Sequence, residues 1–127
     1  MKKSLVKKLD KIWSDKVKID QGWRCEKCGR MNTQVRLNSH HIMGRRHRSL
    51  RWVLSNGVCL CVGCHTFGLD SAHENPVGFV EWLKMARGDK QLKELNLLKG
   101  KINKFSYEEN LEMMEMSIPQ IIKRYDK

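Results

Sequence analysis

The sequence predicts a small α+β fold: a helix at the N-terminus, two short strands beside a pair of cysteine knuckles, and several helices at the C-terminus. Three observations carry it. Cys25-x2-Cys28 and Cys61-x2-Cys64 are matched thiol pairs, and a two-residue gap lets both thiolates of a pair point at one tetrahedral zinc ion. Near the first pair Val35, Leu37 and Ser39 alternate with Arg36 and Asn38, the period of a strand. Outside the pairs, apolar residues recur every three to four positions, the period of a helix. With 127 residues, 40% of them hydrophobic, the chain buries only a modest core, and a zinc held by Cys25, Cys28, Cys61 and Cys64 would staple it. Four thiolates leave no open coordination position, so this zinc is expected to be structural. Cys59, two residues before Cys61 on a strand, is left over as a small core residue.

Leu5, Leu9, Ile12, Trp13 and Val17 predict an amphipathic helix over about 3–19, packed on the core as a segment 1–22. The core itself is expected over 23–76. It starts at the first knuckle, where Gly29 is free to take positive φ, and continues through the strand that runs into His40-His41-Ile42. A basic loop, Arg45-Arg46-His47-Arg48-Ser49-Leu50-Arg51-Trp52, comes next. Asn56-Gly57 is the strongest hairpin-turn signal, with a strand at Val58-Cys59-Leu60 after it. The segment Cys61 to His65 opens a helical stretch interrupted near Gly68. Beyond it lies a helical extension over 77–127. Asn75 caps a helix with Pro76 at its first position, and Phe79, Val80, Trp82, Leu83 and Ala86 form its buried face up to Gly88. Asp89 caps a second helix through Leu92, Leu95 and Leu98. Ser106-Tyr107-Glu108-Glu109 is a capping box ahead of Leu111, Met114 and Ile118, and Pro119 kinks or ends that helix.

The net charge of +11 is unevenly placed. Residues 1–88 hold 17 basic and 7 acidic residues, residues 89–127 only 8 and 7, and no acidic residue lies between Glu26 and Asp70. A polyanion suits such a window, because each neutralised phosphate releases condensed counterions. Arg45, Arg46, Arg48 and Arg51 stand here as phosphate contacts, their forks matching phosphate oxygens bidentately. Trp52 either stacks on a base or fills the core. No apolar run is long enough for a membrane span, and no apolar signal core follows the basic start. The expectation is therefore a cytoplasmic protein with reduced thiols and no membrane partner.

His40 and His41 point to opposite faces of a strand, so one imidazole can bind a metal while the other does separate work. A second structural metal site is the alternative. Together, Cys25-x2-Cys28, Ser39-His40-His41-Ile42, Asn56 and Cys61-x2-Cys64-His65 resemble the HNH endonucleases. The wider chain is similar to phage-type HNH nucleases and, more loosely, to the lambda recombination nucleases. The resemblance implies a ββα-metal core and a phage or prophage protein, in a bacterial host or phage-infected cell. It would hydrolyse DNA phosphodiesters with low sequence specificity in packaging or recombination, alone, as a homodimer or with other phage proteins. It implies His41 as general base, Asn56 as the residue constraining its loop, and His40 and His65 as ligands of one catalytic divalent metal (Mg2+, Mn2+, Ni2+ or Zn2+). His73 completes that set if the inserted Gly68-Leu69-Asp70-Ser71 lets it return to the ion, with a phosphate contact or helix cap as its other roles. Asp70 is a weaker candidate. A non-catalytic zinc-bound DNA-binding protein and a nuclease for branched DNA are the alternative functions.

Overall fold

The computed structural model describes residues 1–126, mixing helices with one small antiparallel sheet. Helix α1 (Lys3–Asp20) buries Leu9, Trp13 and Val17 and exposes the lysines between them, as its periodicity requires. Strands β1 (Leu37–His41) and β2 (Gly57–Cys61) pair so that Leu37 faces Cys61 and His41 faces Gly57. Every residue of β2 is buried, because α1 covers one face of the sheet and the segment after Cys61 covers the other. A Cβ on Gly57 would stand 2.5 Å from Val17 Cγ2 and 2.9 Å from Trp13 Cζ2. Glycine is what lets α1 lie this close to the sheet.

Among the described residues four helices follow: α2 (Pro76–Arg87), α3 (Asp89–Leu98), α4 (Tyr107–Met114) and α5 (Ile118–Tyr125). The Asn75 cap on α2 and the Ser106/Glu109 capping box on α4 form as expected. Two apolar clusters result. One surrounds the sheet and includes Leu9, Trp13, Val17, Val58, Leu60, Phe79 and Leu83. The other joins Leu50 and Val53 of the β1–β2 connection to Leu95, Leu98, Met113, Ile118 and Ile121. Trp52 is core, 3% exposed, and Cys59 is a fully buried apolar contact.

The structure corrects several local expectations. Asn56-Gly57 is not a two-residue hairpin turn: the strands are joined by all of residues 42–56, and Asn56 ends a short 3-10 turn. On α2 only Phe79 and Leu83 are buried, while Val80 and Ala86 face solvent, since a helix packed on one side cannot bury five such positions. Asp89 is the first residue of α3 and does not cap it; its carboxylate pairs with Lys93. Pro119 starts a helix. The chain leaves α4 after Met114, and Ser117 with Gln120 forms a fresh capping box in which proline's missing N–H costs nothing.

Candidate functional site

The two cysteine pairs converge. Sulfur atoms of Cys25, Cys28, Cys61 and Cys64 all lie within 4.8 Å of one another, with Cys28 Sγ 3.7 Å from Cys61 Sγ. Each pair folds as a knuckle, the Cys28 N–H donating to Cys25 Sγ and the Cys64 N–H to Cys61 Sγ, and Gly29 takes the positive φ foreseen for it, 81°. Burial opposes ionisation of Cys25, but hydrogen bonds from backbone N–H groups outweigh it and bring that thiol down to about 7. Cys28 and Cys64 are pushed up, by burial first and then by neighbouring sulfurs. Four crowded thiols cannot all ionise without a cation, and the donor set fits a structural metal such as zinc. Arg87 locks the knuckle to the fold, giving a bidentate pair to Glu26 and bonds to Ser55 O and Gly57 O.

A second cluster lies beside it. His40 is on β1 and His65 in the single π-helical turn Gly63–Phe67 that follows β2. His73 returns from an irregular loop instead of a helix. Backbone bonds Ala72 N–H to Cys64 O and His73 N–H to His65 O fold the loop back, and Ser71 Oγ donates to Thr66 O. The inserted residues therefore form the return, and Asp70 stays outside, its carbonyl accepting from Lys27 Nζ. A ring nitrogen from each histidine lies within 4.8 Å of the others, and His65 Nε2 is 3.0 Å from His73 Nε2. Burial first, then the neighbouring imidazoles, hold His40 down at about 3. Burial and His73 likewise lower His65. His40 and His65 are thus kept neutral, each with a ring lone pair available.

His41 occupies the other face of β1. Its ring stacks on Trp13 at 3.9 Å and 9°, and its Nε2 lies 2.9 Å from Arg51 O. A carbonyl only accepts, so Nε2 carries the proton and Nδ1 the lone pair. Burial lowers its pKa and keeps it neutral, outweighing the bond to Arg51. His40, His41, His65 and His73 line one cavity of about 520 Å³ together with Asp10 and Arg45. Asn56, fully buried, ties the basic loop at two points: Oδ1 accepts from Met43 N–H, and Nδ2 donates to Met43 O and Leu50 O.

The arginines are not equivalent. Arg45, Arg46 and Arg48 are exposed. Arg51 is only 12% exposed and makes a bidentate pair with Asp10, which also accepts from Trp52 Nε1. Three contributors had no sequence motif: Trp13, Asp10, and Asn38, whose amide is 3.1 Å from His65 Nδ1. Only strand alternation pointed to Asn38, two residues before His40 and so on its face. No helix among the described residues is long and apolar enough to cross a membrane. Comparison with protein-family models, curated proteins and solved structures finds no match for this chain.

Proposed function

We propose that this protein is a metal-dependent DNA endonuclease of HNH type. The observation that carries the reading is one cavity with three converging imidazoles on one side and, on the other, a histidine whose tautomer is set by the Arg51 carbonyl. A divalent metal held by His40, His65 and His73 would polarise the phosphodiester and offset charge on the leaving oxygen. Three nitrogen donors favour Ni2+ or Zn2+ over the harder Mn2+ and Mg2+. Asn38, turning its amide oxygen to His65 Nδ1–H, would leave His65 Nε2 facing the other two rings. His41 Nδ1 takes a proton from water as the water oxygen bonds to phosphorus. The bond from phosphorus to the 3′ oxygen breaks and that oxygen takes a proton from solvent, leaving a 5′ phosphate, a 3′ hydroxyl and an imidazolium at His41 that returns its proton to water. Trp13 holds the plane of the base. Arg45, Arg46 and Arg48 meet flanking phosphates, which positions DNA without reading sequence.

Supercoiled plasmid incubated with the protein and each metal tests this. Nicking is expected, strongest with a nitrogen-preferring metal. His41→Ala should lower the rate about 100- to 10,000-fold, and His65→Ala should raise the metal concentration needed. Plasmid bound but uncut under every metal, or cut equally by His41→Ala, would overturn the reading in favour of a binding protein.

A further inference from the structure

The first cysteine knuckle presents a surface that the histidine cavity does not use. Trp23 lies at φ 56°, the only described non-glycine residue at positive φ, a conformation that strains a bulky side chain. It is enforced from both sides: Trp23 N–H donates to Lys18 O at 2.9 Å, and Asn32 N–H donates to Trp23 O at 3.0 Å. Glycine would sit there freely, yet the position holds an indole that is 40% exposed. Trp13 and Trp52, by contrast, are 2% and 3% exposed. Cys25 N–H bonds to Arg30 O, and Arg24 faces Met31 across an isolated antiparallel bridge. Trp23, Arg24, Arg30 and Met31 therefore share one small two-stranded knuckle. Arg24 and Arg30 are exposed, and among the described residues neither makes an ion pair. The carboxylate nearest to them in sequence, Glu26, is taken by Arg87.

We infer that this knuckle face binds single-stranded nucleic acid, with an unpaired base stacked on Trp23 and the neighbouring phosphates on Arg24 and Arg30. An exposed aromatic plane with two exposed arginines on the same knuckle, Arg24 giving one N–H to Gly29 O, fits both parts of a nucleotide at once. Duplex DNA hides its base faces in the stack and offers the arginines only phosphates, leaving the indole without a partner. The surface needs neither cleavage nor the histidine cavity, so it stands independently of the endonuclease reading.

The test titrates the zinc-loaded full chain, with no other divalent metal, with a labelled oligothymidylate of about 12 nucleotides, reading tryptophan emission and anisotropy. The oligonucleotide should quench emission, and polyphosphate, which has no bases, should not. Trp23→Gly and Trp23→Asn both tolerate positive φ and keep the fold, with a melting temperature equal to or above that of the parent. Both should remove the quench and weaken binding about tenfold. Arg24→Ala combined with Arg30→Ala should flatten the salt dependence by about two phosphate contacts. His41→Ala should bind the oligonucleotide normally. Binding unchanged in both Trp23 variants, equal quenching by polyphosphate, or no binding of the oligonucleotide overturns the inference. Plasmid nicking that persists alongside any of these results shows that the endonuclease reading survives without it.

Discussion

Asn56 makes three hydrogen bonds from a fully buried amide, two of them to Met43 and one to Leu50. Truncating it strands buried backbone groups, each costing about 1–3 kcal/mol. Asn56→Ala should therefore lower stability by about 2–4 kcal/mol, read from the urea midpoint. Asn56→Asp should fare no better, because a carboxylate cannot donate to Met43 O and Leu50 O. At this scale the four cysteines could be read from the sequence because their spacing carries the chemistry, whereas the grouping of His40, His65 and His73 was implied only by the family resemblance. Asn56 could be singled out, but not what it ties, since its partners are backbone atoms that any sequence supplies. The role of Arg51 was equally hidden. Its side chain is spent on Asp10, and the atom that meets His41 is its carbonyl oxygen.

Helix α1 supplies more than packing. It contributes Trp13 against His41, Ser14 O as acceptor for Ser39 Oγ, and Asp10 as the anchor of Arg51 and Trp52. Burial alone would raise the Asp10 carboxyl. The hydrogen bonds from Arg51 and Trp52, with the charges of Arg51 and Arg45, outweigh that and hold it below the usual carboxylate range. A carboxyl depressed in the folded state contributes stability above its unfolded pKa of about 4 and loses it as pH falls through the lower folded value. Asp10→Asn should thus be destabilised by about 2 kcal/mol at pH 7, where Arg51 loses its counter-charge. Below about pH 4 the gap to the parent should narrow, as followed by thermal melting across pH. If Asp10 holds the Arg51 carbonyl in place, the variant should also nick plasmid more slowly with an unchanged metal requirement. Helices were legible to within a residue or two where caps mark them, as at Asn75 and Ser106. Pro119 misled because proline ends one helix and begins the next by the same missing N–H. Asn56-Gly57 misled because the pair's turn propensity lost to the tertiary demand that Gly57 admit α1.

Across the whole molecule, the C-terminal helices hold up the basic loop. Leu50 and Val53 are buried among Leu95, Leu98, Ile118 and Ile121, Ser49 Oγ donates to Leu98 O and Asn103 Nδ2 to Arg48 O. Residues 95–121 thus fix the backbone that carries Arg45, Arg46, Arg48 and the Arg51 carbonyl, which composition alone could not foretell. Loss of those supports, as in Leu98→Ala, should destabilise by about 2–5 kcal/mol and lower nicking by the folded fraction. The thiol cluster tests the fold from the other end. Purified protein should carry about one tightly held zinc per chain, and Cys61→Ser or a strong chelator should abolish the cooperative melting transition.

The π-helical turn Gly63–Phe67 carries both Cys64 of the thiol cluster and His65 of the histidine cluster. Neighbouring residues on one rigid turn cannot be placed independently, so under the proposed reading the two sites are thermodynamically linked. An ion at the four sulfurs would then raise the affinity of the three imidazoles for theirs, and by reciprocity an ion on the imidazoles would raise the affinity of the sulfurs for zinc by the same free energy. Under that reading, removing the structural ion would weaken the histidine site along with the fold.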